Sequence, residues 1–173
     1  PSGANIVVIA TPPAQHFDHA IFSLQRGAAV VIEKPLAYTL NEADRLCAEA
    51  QQNGQKILYA ENLAYAPIVH AFIKRAVTIG PITHMSLRTV QSLPAWGDFT
   101  TAEWGGGALF DLGVHPIAVA VLVGRAIGAG EVVSVSAQLE GETTDTHAEL
   151  ELTFANGLTA TVVSSWQGSE TPE

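Results

Sequence analysis

Ala29-Val30-Val31-Ile32-Glu33-Lys34-Pro35 is a short apolar run, mostly β-branched, that ends abruptly in an acid, a base and a proline. Such a run reads as a buried strand, and a charged pair just past its carboxyl end stands where open α/β sheets bind ligands. Upstream, Ile6-Val7-Val8-Ile9-Ala10 repeats the pattern, reads as a strand buried on both faces, and stops at Thr11-Pro12-Pro13. Between the two, Phe17, Ala20, Ile21 and Leu24 fall at i, i+3, i+4 and i+7 of a helix opening at Ala14, with Gly27 as its cap. Downstream, Thr39-Leu40-Asn41-Glu42 has the form of a capping box, and Leu40, Ala43, Leu46, Cys47 and Ala50 continue as one stripe until Gly54. Residues 56–60 then form a third strand. Strand-helix-strand-helix-strand at this spacing predicts right-handed crossovers and a parallel sheet that the chain enters in mid-fold.

Beyond Glu61 the pattern changes. Pro67 suits the first turn of a helix, Ile68, Ala71, Phe72 and Ile79 give it an apolar side, and Gly80-Pro81 stops it. Residues 82–91 read as a strand, and residues 92–107 as a long loop, of the kind that often carries function. Residues 108–123 are apolar enough for a mostly buried helix bounded by Gly124. Val133, Val135, Ala137 and Leu139 then alternate with polar residues, as do Ala148, Leu150, Leu152 and Phe154, and Asn156-Gly157 turns the chain into a further strand through Leu158, Ala160 and Val162. The expected fold is therefore α/β followed by α+β. A partial, Rossmann-like parallel sheet spans residues 1–61; residues 62–173 form a second unit with a mainly antiparallel open sheet flanked by helices. The far face of that sheet would be wet or would carry a partner subunit.

Bulk properties narrow the function. With 173 residues, one substantial core or two small ones can form, since domains usually run to about 100–150 residues. Hydrophobic residues at 47% and charged ones at 14% describe a folding chain. Seventeen acidic against eight basic residues give a net charge of −9, which argues against nucleic acid and anionic membrane surfaces as partners. Cys47 alone allows neither an internal disulfide nor a thiolate zinc site, and a reducing cytoplasm fits. No apolar run approaches the roughly 20 residues that span a bilayer.

Several residues have chemistry to offer. Lys34 can polarise a carbonyl oxygen or stabilise an alkoxide; for a lone lysine, the ordinary alternative is a surface ion pair. Asp111-Leu112-Gly113-Val114-His115 puts an acid and an imidazole four apart, on one face of a predicted helix. A histidine oriented by a carboxylate is a plausible proton acceptor near neutral pH; the plain alternative is a helix-surface pair. His16-x-x-His19, and Asp111 with His115, have metal-ligand types at helical spacing but no third ligand nearby, and no metal is expected. Gly105-Gly106-Gly107 could form an anion-binding turn or a simple connection. Trp96, Phe99, Trp104 and Tyr65 would either line a sugar-binding cleft or plug the core.

Taken together these residues resemble the Gfo/Idh/MocA family, named for glucose-fructose oxidoreductase, inositol 2-dehydrogenase and a rhizopine-catabolism protein. The resemblance lies in Val8-Ile9-Ala10-Thr11-Pro12 with His16, in Glu33-Lys34-Pro35, and in Gly105-Gly106-Gly107-Ala108-Leu109 followed by Asp111, Gly113 and His115; the Asn156-Gly157 hairpin also fits. It implies an NAD- or NADP-dependent dehydrogenase that moves hydride to or from a CH–OH carbon of a sugar, polyol or related small molecule. Lys34 would orient substrate and cofactor, His115 would move the proton, and Asp111 would hold the substrate or the imidazole. Thr11, Pro12, His16, Glu33, Pro35 and Asn62 would border the cofactor, and the Lys34-Pro35 bond would be cis. A homo-oligomer formed through the open face of the second sheet is also implied. The Gly-x-Gly-x-x-Gly turn that should follow the first strand of such a fold and grip the pyrophosphate is not among these residues, Ala118 stands where many members carry an acid, and the last sheet looks incomplete. The 173 residues by themselves are accordingly expected to be inactive.

Overall fold

The computed structural model describes residues 3–101, 104 and 106–168. In the first unit, β1 (Ile6–Ile9), β2 (Ala29–Ile32) and β3 (Ile57–Tyr59) form a parallel sheet in the order β1-β2-β3. Helices α1 (His16–Leu24) and α2 (Leu40–Gln52) make the crossovers. Each local signal has its physical counterpart. Thr39 Oγ1 accepts the Glu42 amide at 3.1 Å while Glu42 Oε2 accepts the Thr39 amide at 3.2 Å, a complete capping box. Gly27, at φ 80°, turns the chain out of α1 so that the Ala28 amide reaches the Ser23 carbonyl.

One expectation fails. β1 is buried on one face only: Ile9 is enclosed, whereas Ile6 and Val8 are 64% and 67% exposed. Because the strand order never reverses, right-handed crossovers must put both helices on the same side of the sheet. Ile9, Val30 and Ile32 therefore pack with Ala20, Leu24, Leu46 and Ala50, and the row through Val8, Val31 and Leu58 lies on the other face.

In the second unit, α3 (Pro67–Ala76) starts on its proline. A four-stranded sheet follows in the order β4-β7-β6-β5, built from β4 (His84–Val90), β5 (Val132–Glu140), β6 (His147–Phe154) and β7 (Thr159–Ser165). β5, β6 and β7 are antiparallel neighbours, and β4 joins parallel to β7. Ala148, Leu150, Leu152 and Phe154 of β6 pack with Ala160 and Val162 of β7 and with Val119, Ala120 and Val123 of helix α4 (Val114–Ala126). The opposite face is polar: register aligns Ser136, Glu151, Thr161 and Ser86 across it. β5 reaches past the helices, leaving Val135 and Leu139 60% and 57% exposed.

The central helix departs from expectation twice. Gly124 does not bound it, since α4 runs to Ala126 and Gly128, at φ 74°, makes the exit. Gly124 instead gives room to the Phe154 ring, which a Cβ there would strike. The helix also begins as a π-helical turn, Leu109–Gly113, before becoming α-helical.

Candidate active site

The ends of the first sheet set the site. Ile9, Ile32 and Tyr59 stand side by side in register. Two residues further along each strand come Thr11, Lys34 and Glu61. The carboxyl ends of three neighbouring parallel strands thus present a hydroxyl, an ammonium and a carboxylate in a row, at the edge where such sheets bind ligands.

The π-turn and α4 meet two members of this row. Lys34 Nζ donates to Asp111 Oδ1 at 2.6 Å and to the Asp111 main-chain oxygen at 2.8 Å. The lysine thus satisfies both the side chain and the main-chain carbonyl of Asp111. Asp111 is 7% exposed and Lys34 25%. An ammonium has three donors; two close on Asp111, and one is left for a ligand.

His115 is held differently from the sequence reading. The carboxylate on its Nδ1 is not Asp111 but Glu61, whose Oε1 lies 2.7 Å away. Glu61 is 2% exposed, and its Oε1 also accepts the Leu63 amide at 3.1 Å. Asp111, in the π-turn Leu109–Gly113, is instead closed on Lys34. Glu61 escaped the sequence reading because it sits 54 residues from its partner, at what looked like a mere boundary between units. Beside it, the Tyr59 hydroxyl is pushed up to about 12 by burial first, then by the charges of Glu61 and Glu33.

Lys34, Asp111 and His115 line one cleft of about 920 Å³ together with Thr11, Pro12, Glu33 and Pro35. The Lys34-Pro35 bond is cis. Trp96, Phe99, Trp104 and Phe110 line the same cleft. Trp96 meets Phe99 edge-on at 4.9 Å, and Phe99 meets Trp104 at 5.5 Å. Tyr65 stands apart, 59% exposed, with its hydroxyl 3.4 Å from the Tyr59 carbonyl.

Other candidates have different places. His16 is 1% exposed, with Nδ1 2.8 Å from the Pro35 carbonyl and Nε2 2.9 Å from the Thr11 carbonyl. It ties the ends of β1 and β2 together behind the cleft and has no ring nitrogen free for a metal or a cofactor. Asn62 is exposed outside the cleft wall. Among the described residues, no three His, Cys, Asp or Glu side chains gather as a metal site. Of the three glycines, Gly105 lies outside the described residues. The helix start after Gly107 is filled by the protein's own anion, Asp145, whose Oδ2 accepts the Leu109 amide at 2.7 Å and whose main-chain oxygen accepts the Ala108 amide at 2.8 Å.

A parallel β-α-β-α-β lobe, an α+β lobe with a half-open sheet, and an ammonium-carboxylate-imidazole cluster between them define a Rossmann-type oxidoreductase fold. The comparisons agree. The model for "Oxidoreductase family, NAD-binding Rossmann fold" matches residues 1–61, and that for the "GFO/IDH/MocA C-terminal domain" matches residues 73–172. The chain belongs to the Gfo/Idh/MocA family. It is 31% identical over 139 residues to the D-glucoside 3-dehydrogenase of Escherichia coli, a match covering 77% of this chain and 38% of that protein. To an NADP(+)-dependent scyllo-inositol 2-dehydrogenase of Bacillus subtilis it is 26% identical, with 68% and 38% covered. The fold superposes with a TM-score of 0.88 on GenD2 from gentamicin A biosynthesis in complex with NAD, at 26% identity, covering 97% of this chain and 50% of that one. A 3-ketoreductase from Actinomadura kijaniata, in complex with TDP-benzene and NADP, gives 0.83 at 26% identity, with 99% and 54% covered. The chain thus spans well under half the length of these two curated relatives.

Proposed function

We propose that the protein works as an NAD- or NADP-dependent oxidoreductase on a CH–OH or C=O carbon of a sugar or a related polyol. The observation that carries this is the convergence, in one cleft, of Lys34 with a donor to spare and His115 with one nitrogen already committed. The walls fit a nicotinamide: the small Ala10, Thr11, Pro12 and Pro13 after β1 and Glu33-Lys34-Pro35 after β2 leave space beside parallel strand ends, where dinucleotides lie. Those residues would hold the nicotinamide end. A bound nicotinamide supplies the acceptor or donor for hydride.

The chain's own groups do the rest. In the oxidising direction, the substrate hydroxyl gives its proton to Nε2 of His115, and the free N–H of Lys34 donates to the same oxygen, countering the negative charge that builds there. Asp111 keeps the ammonium aimed. Reduction reverses each move. The aromatic wall of Trp96, Phe99 and Trp104 suits the apolar face of a sugar ring. The names of the relatives, a glucoside dehydrogenase and an inositol dehydrogenase, point to the same substrate class.

Formation of NADH or NADPH by a version of the protein extended at its N-terminus with a nucleotide-binding segment, followed by absorbance across a panel of alkyl glucosides, free hexoses and inositols, tests this, and the same extended protein serves every turnover measurement below. Turnover with at least one ring polyol, with kcat/KM lowered about 10²–10³-fold in Lys34→Met, is the expected result. No turnover with either cofactor across the panel would remove the proposal.

A further inference from the structure

Glu61 is a carboxylate enclosed to 2% exposure, and enclosing an ionised carboxyl is costly unless its oxygens are satisfied. Only one of them is. Oε1 takes the Leu63 amide and faces Nδ1 of His115, while Oε2 is buried without a hydrogen-bond partner. Capping a single 3-10 turn, Asn62–Tyr65, requires no such burial, because a solvent-facing acid serves equally well.

The direction of the His115 bond follows from Oε1. An oxygen that accepts the Leu63 amide is an acceptor whether Glu61 is ionised or carries a proton on Oε2, so the hydrogen between Oε1 and Nδ1 belongs to the imidazole. Which ring nitrogen is protonated is set by the bond the other makes. We propose that Glu61 is a positioning residue that keeps the proton of neutral His115 on Nδ1, leaving Nε2 bare for the substrate hydroxyl.

The surrounding charges do not disturb this assignment. Lys34 and Asp111 close on each other. The Glu33 carboxylate lies 3.2 Å from the Lys34 amide. Tyr59 stays a neutral hydroxyl at any working pH, being pushed up to about 12.

The catalytic consequence rests on the oxidoreductase reading; the tautomer is a property of the protein alone. Ring nitrogen NMR of the 15N-labelled protein, at a pH where imidazole is neutral and with His115→Gln to identify the signals, reads it directly. Wild type is expected to show Nδ1 protonated and Nε2 bare. Glu61→Gln keeps that pattern, because its amide oxygen can still hold the Leu63 amide and the ring, and Glu61→Ala shifts the ring toward the Nε2-protonated form. In turnover, kcat falls on the order of a hundredfold in Glu61→Ala, within the range that general-base catalysis is worth, while KM changes little and Glu61→Gln recovers part of the loss.

A bare Nδ1 in the wild type overturns the proposal, and that measurement decides even if Glu61→Ala fails to fold. So does the expected tautomer combined with an undiminished kcat in Glu61→Ala. The expected tautomer in a protein that turns over no polyol would support the Glu61–His115 assignment and count against the oxidoreductase reading instead.

Discussion

Replacing Lys34 with methionine keeps the stem and removes the charge. Its ammonium touches Asp111 twice, at 2.6 and 2.8 Å, and the two groups differ in their access to water: 7% for Asp111 and 25% for Lys34. Breaking a fully buried pair from one side costs about 3–5 kcal/mol because the other charge is stranded. With the lysine end partly hydrated, the loss on Lys34→Met should be about 1–3 kcal/mol. Asp111→Asn strands the lysine instead, which can turn to water, so that loss should be smaller, about 0.5–1.5 kcal/mol. The double variant should fall short of the sum by roughly 1 kcal/mol. Urea unfolding at neutral pH measures all four proteins. In turnover, Lys34→Met should lower kcat/KM by about 10²–10³ through the missing donor to the reacting oxygen. An additive cycle, or Asp111→Asn proving the more damaging change, would refute the geometry proposed for the pair.

Three further outcomes follow from the structure. Tyr59 has its hydroxyl pushed up from 10.0 to about 12, so the unfolded chain ionises first; its contribution is complete below pH 10, is lost as pH rises from about 10 to 12, and amounts to about 1–2 kcal/mol after allowance for its partial exposure, a slope that Tyr59→Phe should flatten in alkaline unfolding curves. Gly124→Ala puts a methyl into the Phe154 ring and should cost about 1–3 kcal/mol in thermal or urea unfolding despite the better helix propensity of alanine. Trp96→Ala removes a 67% exposed ring from the cleft wall and should raise KM for a sugar substrate by about three- to tenfold with kcat nearly unchanged, since one aromatic contact is worth about 0.5–1.5 kcal/mol.

What could be read from the sequence was local. β2 falls on Ala29–Ile32 as expected, the Thr39-Glu42 box closes, Pro67 opens α3, and Asn156-Gly157 turns β6 into β7, because each is decided within a few residues by caps, turns and periodicity. What failed to read depended on neighbours far along the chain. Gly124 looked like a stop but is a contact with Phe154; the face of β1 was settled by which side both crossovers take; and the parallel pairing of β4 with β7 leaves no mark in either strand. In the site, Lys34 and His115 were legible because chemistry and position coincide. Glu61 was not, because its role exists only through a ring contributed by another unit.

The expected and the observed site differ in which carboxylate meets which base. On a regular α-helix, an acid and a histidine four residues apart share a face, and the simplest use of that face is one carboxylate holding one imidazole. Here the helix must serve the ends of two neighbouring strands at once, β2 through Lys34 and β3 through Glu61. Asp111 lies in the π-turn Leu109–Gly113 and His115 in the first turn of α4, and Gly113 allows the chain to lie close to the sheet, where a Cβ would meet Leu109 and Ser164. Each group can then take a partner of opposite kind, Asp111 a cation and His115 an anion. The result is an ammonium with one donor to spare and an imidazole with one nitrogen to spare in one cleft, the pair that the proposed reaction would use at a single substrate oxygen. Both pairings reach from the second unit to the strand ends of the first, so the site exists only where the two units meet.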